Sequence, residues 1–428
     1  MAAEEIGLLA LGGLLGLLAL GCPVGIALIL AGLGGFAALR GTGPALSALE
    51  RSVTDVVTTE GYGVIPLFLL MGALISRAGI AADLFAAARR ALGARSGGLA
   101  VAGLGASAVF SAMSGSSLAT ASTMTRVAWP EMRAAGTDPR LAAGALAAGG
   151  TLGIMIPPSI ALLLYALITQ QSVGEMFLAG LLPGLLGFAL YAATALAMGR
   201  IWSAGGAAGA APRVGLGRVI SPLALVVLVM AGLYGGVFTP QEAGGAGAAI
   251  ALGLALLRGV GLTGVGAALA ETVRLTATLF VILIGAEAFS YLLAVSRLAD
   301  ALADWVSAAG LGKWEVLALI LLVYLLLGCV LESLAMILIT VPVFYPIVVA
   351  HGIDPVWFGV LCVLVVETGL ITPPVGLNLF VVRAGAPDIG QRQAMLGTLP
   401  FVLADLLRLA CLLAVPGLAL WLPALLGP

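Results

Sequence analysis

The sequence is short of charge. Only 9% of its 428 residues are Asp, Glu, Lys or Arg, against roughly 25% in an ordinary soluble protein. Nineteen basic and twenty acidic residues leave a net charge of −1, so there is no basic surface to hold nucleic acid. A single histidine, His351, provides thinly for acid–base catalysis. No metal-binding His pair, Gly-x-x-x-x-Gly-Lys phosphate loop or Gly-x-Ser-x-Gly nucleophile motif occurs. These absences argue against an enzyme and against ATP hydrolysis within the chain. The four cysteines, Cys22, Cys329, Cys362 and Cys411, sit in apolar runs at unrelated spacings and read as buried small hydrophobes, not metal ligands or disulfides. The apolar runs show no period-2 alternation, which excludes a transmembrane barrel. Charged rings and polar stripes of the kind that line a channel are also missing.

What remains is apolar. Hydrophobic residues make up 61% of the chain and the mean hydropathy is +1.18, which identifies an all-α polytopic membrane protein. At about 20 apolar residues per crossing the length allows about a dozen spans with short loops. The sixty glycines, poor in a soluble helix, let helix backbones approach closely in lipid. Glu4 and Glu5 stand where a signal peptide needs positive charge, so the first run reads as a retained membrane helix despite a faint lipoprotein-like Leu-Gly-Cys at Cys22.

Apolar segments run 6–21, 24–39, 62–76, 97–125, 141–170, 176–199, 219–237, 242–257, 276–293, 315–350, 357–382 and 397–425. The loops on both sides of 97–125 are rich in arginine: Arg77, Arg89, Arg90 and Arg95, then Arg126, Arg133 and Arg140. The positive-inside rule puts both in the cytoplasm. A segment of 29 residues cannot cross twice at about 1.5 Å per residue. It is expected to be a re-entrant hairpin with its tip near Ser114–Ser117. Arg200, Arg213, Arg218, Arg258, Arg274, Arg383 and Arg392 follow on the inner side, leaving Arg40, Arg51, Arg297 and Lys313 outside. Both termini are then expected on the outer face.

An internal repeat organises the chain. Gly136-x-Asp138-Pro139 recurs as Gly352-x-Asp354-Pro355, Gly153-x-x-x-Pro157-Pro158 recurs as Gly369-x-x-x-Pro373-Pro374, and Pro130 pairs with Pro346, all at an offset of 216. Two repeats follow, 1–216 and 217–428. Each is expected to hold three helices, a hairpin (97–125 and 315–350), a Pro-Pro-broken helix (141–170 and 357–382) and one more helix. Five full crossings per repeat is odd, so the second repeat is expected to be inverted, its hairpin entering from the outer face with its tip near Glu332-Ser333. Inverted repeats with discontinuous helices characterise many secondary transporters, whose sites lie at the repeat interface near the midplane.

The breaks carry the expected chemistry. Pro157-Pro158 and Pro373-Pro374 remove backbone donors and free carbonyls, which persist in a membrane only where protein or a watery cavity satisfies them. Such oxygens suit a hard cation such as Na⁺, and half-helix N-termini suit an anionic substrate. The candidate cation ligands are Ser114, Gly115, Ser116, Ser117, Thr151 and Gly153, with Glu332, Ser333, Thr368, Gly369 and Thr372 in the second repeat. Thr151 is expected to meet the first hairpin tip. Sodium is the only metal expected, as the coupling ion, with no other cofactor. The candidate substrate residues are Thr120, Pro157, Pro158, Ser159, Pro373, Pro374, Gly376 and Asn378, the last being the only Asn in the chain. Glu332 and Glu367 correspond to Ser116 and Thr151 at the offset of 216, and intramembrane carboxylates of this kind point to coupling-ion or proton handling. Glu287 is a third candidate. Asp405 and Arg408 read as a local ion pair three residues apart.

At these residues the sequence resembles the large membrane subunit of TRAP (tripartite ATP-independent periplasmic) transporters. The matching stretches are Pro66-Leu-Phe-Leu-Leu-Met-Gly72, Ser114-Gly-Ser-Ser117, Gly149-Gly-Thr-Leu-Gly-Ile-Met-Ile-Pro-Pro-Ser159, Leu233-Tyr-Gly-Gly-Val-Phe-Thr-Pro240 with Glu242, Thr372-Pro-Pro-Val-Gly-Leu-Asn-Leu-Phe380 and Leu418-Ala-Leu-Trp-Leu-Pro423. They span nearly the whole chain. The resemblance implies the ion-transporter-superfamily fold and a Na⁺-coupled elevator importer of small organic acids, such as dicarboxylates, keto acids or sialic acid. It also implies a bacterial or archaeal inner-membrane location and two partners: a small four-helix membrane subunit and a periplasmic solute-binding protein. Glu332 departs from the Asp or small polar residue expected there, and Arg383 is unusual after the second break. A stand-alone cation- or proton-coupled organic-anion transporter of related fold is the alternative.

Overall fold

The computed structural model describes residues 2–92, 97–202, 215–298, 301 and 310–427; Arg95 and Arg213 of the topology argument lie outside them. The regular structure of the described residues is helical, without strands. Helices α1 (Ala3–Ala19), α2 (Val24–Arg40) and α3 (Thr42–Thr58) lead through a 3-10 turn, Glu60–Gly63, into α4 (Val64–Arg77) and α5 (Ile80–Leu92). The first hairpin is α6 (Gly98–Ser114) and α7 (Ser117–Ala134), the first broken helix is α8 (Pro139–Met155) and α9 (Ile160–Thr169), and α10 (Val173–Trp202) follows. Beyond residue 215 come α11 (Leu216–Tyr234), α12 (Pro240–Leu257) and α13 (Leu262–Ser296). The second hairpin is α14 (Lys313–Gly328) and α15 (Ser333–Ala350), the second broken helix is α16 (Pro355–Ile371) and α17 (Leu377–Gly385), and α18 (Gln391–Ala414) and α19 (Gly417–Leu426) close the chain.

Equivalent local chemistry sets equivalent helix ends. Asp138 and Asp354 each cap a helix that opens on proline, accepting from the backbone N–H of Arg140 and of Trp357 at 2.8 Å. Helices α7 and α8 begin at residues 117 and 139, and α15 and α16 at 333 and 355, in both cases 216 later; their last residues, 134 and 155 against 350 and 371, keep that spacing. Both Pro-Pro pairs fall in the breaks, and both bonds are cis. At the first, α8 and α9 are bent by 41°.

Six described helices are long and apolar enough to cross a membrane, or seven if the bent pair α8–α9 is one span. Several expected segments, among them α2, α6 and α16, are apolar but only 17 residues long. Two helices were not expected. Helices α3 and α5 interleave Arg51, or Arg89 and Arg90, with apolar residues, so each is amphipathic and escapes a search for apolar runs. Helix α13 begins at Leu262, well before the expected 276, and the last segment divides at Val415-Pro416 into two helices.

The helices fall into two neighbourhoods by what they pack against. Helix α2 lies along α13, α1 and α3, and α4 along α12 and α13. Around a second centre, α8 packs on α6, α7, α10 and α18, while α16 packs on α14, α15 and α18. Helices α4 and α6, and α13 and α15, join the two groups.

Candidate functional site

Both hairpins turn at short extended segments. Gly115, with φ +65°, admits a left-handed turn that side chains rarely adopt, and Ser116 caps α7 by accepting from Ala119 N at 3.3 Å. Glu332 caps α15, its carboxylate accepting from Leu334 N and Ala335 N at 3.1 and 3.2 Å. The carboxylate thus answers the partial positive charge of the helix N-terminus. The repeat equivalents Ser116 and Glu332 therefore share a structural duty at their tips.

Each tip presses on a helix break. A Cβ added at Gly153 would run into Ser111 and the Ala112 amide of the first hairpin. One added at Gly369 would come within 2.6 Å of Gly328 C in the second. The close approach brings Ser111 Oγ within 3.0 Å of the Gly150 carbonyl, and Ser114 Oγ lies 3.0 Å from Thr120 Oγ1.

Glu367, buried in α16, joins the two hairpins. Ser117 at the first tip donates to Oε2, and Ser333 at the second donates to Oε1 at 2.6 Å. Thr151, expected at the first tip, turns elsewhere: its hydroxyl donates to Ala148 O at 2.7 Å and sits 3.4 Å from Tyr191 OH. Tyr191 in turn donates to Asp405 Oδ2 at 2.5 Å, which also accepts from Thr368 at 3.2 Å. Asp405 Oδ1 takes Arg408 Nη1 at 3.3 Å, and both side chains are buried. The ion pair expected as a local one is therefore part of a chain linking Thr151 of one broken helix to Thr368 of the other. Tyr191 was not among the expected residues; no sequence motif marks it.

The candidate substrate residues lie around the same breaks but are not all joined. Asn378 Nδ2 donates to Ala147 O at 3.0 Å across from α17 to α8, while its buried Oδ1 has no hydrogen-bond partner. That oxygen is the open acceptor of the site. Ser159 is occupied in capping α9, accepting from Leu162 N at 3.2 Å, and Thr372 donates to Thr368 O at 2.7 Å. Pro157, Pro158, Pro373, Pro374 and Gly376 shape the backbone; Gly376, at φ +45°, turns the chain into α17. His351 sits apart, its Nδ1 2.8 Å from Ile347 O. Among the described residues no group of three or more His, Cys, Asp or Glu is arranged to hold a metal ion. The oxygen set around Glu367 is of the hard kind that suits an alkali cation.

The chain matches the family model of the tripartite ATP-independent periplasmic transporter DctM component over residues 11–418. It is 37% identical over 383 residues to the C4-dicarboxylate TRAP transporter large permease protein DctM of Pseudomonas aeruginosa, covering 86% of this chain and 88% of that one. It is 33% identical to the sialic acid large permease SiaM of Vibrio cholerae, over 96% and 97% of the two chains. It is 28% identical to the ectoine large permease TeaC of Halomonas elongata, over 99% and 98%. Its fold is similar to that of the Alcanivorax borkumensis YdaH transporter, with a TM-score of 0.67 at 20% identity over 91% and 90% of the chains. The chain belongs to the DctM family, the large membrane subunits of TRAP transporters.

Proposed function

We propose that this chain is the transport subunit of a Na⁺-coupled, binding-protein-dependent importer of small organic acids in the inner membrane. A periplasmic solute-binding protein delivers the substrate, and a small four-helix membrane subunit completes the assembly. The observation that carries the reading is Glu367, one buried carboxylate held by hydroxyls from both hairpin tips. Na⁺ enters where this carboxylate, the tip hydroxyls and the carbonyls freed at the breaks converge, and it neutralises a charge that is costly to bury alone. The substrate carboxylate then meets the half-helix N-termini of α9 and α17, beside the open Asn378 oxygen. Coupling follows because each ligand organises oxygens and amides on the same two tips and breaks.

The matching helix bounds at an offset of 216 support two repeats, 1–216 and 217–428, and the arginine distribution supports their inversion. The two packing neighbourhoods support an elevator, in which hairpins and broken helices carry the site against α2, α4, α12 and α13. In this arrangement Gln170, Pro346 and the first residues of α4 face outward. The test is uptake into proteoliposomes holding this chain, the small subunit and the binding protein. Uptake of a carboxylate is expected to depend on an inward Na⁺ gradient and on the binding protein. Equal uptake without the gradient refutes the coupling, and uptake by this chain alone refutes the tripartite reading.

A further inference from the structure

A cavity of about 210 Å³ lies away from the hairpin tips, between helices of the two packing neighbourhoods. Its walls are Tyr62 before α4, Leu167–Gln170 at the end of α9, Leu283, Ala286, Glu287 and Ser290 on α13, and Val341, Pro342, Tyr345 and Pro346 on α15. None of the candidate cation or substrate residues lines it.

Its polar lining is one-sided. Glu287, half-buried, accepts no hydrogen bond and makes no salt bridge among the described residues. Asp55 of α3 adds a second negative charge close enough to repel it, and Tyr62 presents a phenol to the same field. Arg51 acts on the neighbouring Tyr291 but does not line the cavity, and no Lys, Arg or His does so among the described residues. Tyr345 and Ser290 complete the polar wall; the Tyr345 hydroxyl accepts from Gln171 at 3.1 Å. A carboxylate left without a partner beside a like charge is costly, and a bare carboxylate solute entering here would be repelled. A cation with an organic body is what the walls suit: Glu287 supplies the counter-charge, two phenol rings supply faces for an ammonium group, and Leu283 and Val341 cover methylenes.

We infer that this cavity is an entry subsite for the ammonium group of a zwitterionic solute, with Glu287 as its counter-ion. The inference rests on the proposed transport reading and narrows its substrate class to small acids that also carry a positive group. Occupation by Na⁺ alone is the competing source of the same charge.

The test is thermal unfolding of the purified full chain in lipid nanodiscs, followed by tryptophan fluorescence. Glycine betaine, γ-aminobutyrate, succinate and NaCl are compared at matched ionic strength. The two zwitterions are expected to raise the wild-type midpoint by at least about 2 °C, succinate and extra NaCl are not, and Glu287→Gln removes the response. Glu287→Asp, which withdraws the carboxylate by one methylene, is expected to halve it and serves if the Gln variant does not fold. No response to either zwitterion, an equal response in the variants, or a Glu287-dependent response to NaCl alone overturns the inference. Na⁺-driven uptake by the complete three-component system is measured separately, so the transport reading stands or falls on its own result.

Discussion

Ser117 and Ser333, 216 residues apart, hold the two oxygens of a single carboxylate: Ser333 reaches Glu367 Oε1 at 2.6 Å and Ser117 reaches Oε2. The hairpin tips thus communicate through one acid on α16, although Thr151, the repeat equivalent of Glu367, makes no such bridge. Hydrogen bonds to a charged group are worth about 1.5–3 kcal/mol each. Glu367→Gln keeps one acceptor and swaps the other for a donor that must face a hydroxyl. Uptake is expected to fall about 10- to 100-fold, with unchanged amounts of protein in the membrane by immunoblot. Wild-type uptake in this variant contradicts the bridge's importance.

The fit of tip against break predicts a stability effect. Gly369→Ala forces a Cβ against the Gly328 backbone, which has no side-chain freedom to yield. Overpacking of this kind costs about 1–3 kcal/mol. Thermal unfolding in detergent is expected to show a lower midpoint for Gly369→Ala and Gly153→Ala. Gly12→Ala, where nothing lies within 4 Å, serves as the control and is expected to match wild type.

The chain Thr151–Tyr191–Asp405–Thr368 predicts strong coupling between Asp405 and Arg408. Removing one member of a buried ion pair strands the other, at a cost of about 3–5 kcal/mol. Arg408→Met alone is therefore expected to destabilise the protein severely, and Asp405→Asn with Arg408→Met less so. Additive effects in the double-mutant cycle, read from unfolding midpoints, would falsify the coupling. Tyr191→Phe, which takes one donor from Asp405, is expected to be milder than Arg408→Met.

At the start of α8, outside the apolar segment, the Arg140 side chain donates to Asp138 at 2.8 and 3.0 Å and holds its carboxyl below the usual carboxylate range. A depressed folded value gives stability that is present above the unfolded value of about 3.9 and is lost as pH falls through the folded one. The unfolding midpoint is expected to hold from neutral pH down to about 4 and to drop below it. In Asp138→Asn that acid-side drop should shrink; an unchanged acid profile removes Asp138 from the explanation.

Much of the architecture was legible because proline, glycine and capping residues act locally. Pro157-Pro158 and Pro373-Pro374 mark the breaks, Gly115 and Ser116 mark a tip, and Asp138-Pro139 and Asp354-Pro355 mark helix starts. Helices α3 and α5 were not legible, since their mixed faces lack the continuous apolar run that lipid demands. In the site, the residue types were readable but their pairings were not. The sequence offers Ser117, Ser333 and Glu367 as polar residues in apolar surroundings, yet which hydroxyl meets which carboxylate depends on how two hairpins cross two broken helices. Thr151 and Tyr191 make the same point: their partner Asp405 lies more than 200 residues away, on α18.

Direct binding of radiolabelled Na⁺ to the purified chain tests the coupling site without any substrate or partner. Saturable binding is expected in wild type, with at least about tenfold weaker affinity in Glu367→Gln and in the Ser117→Ala, Ser333→Ala double variant. Binding of equal affinity in all three proteins, or no saturable binding in wild type, contradicts a sodium site built on Glu367 between the hairpin tips.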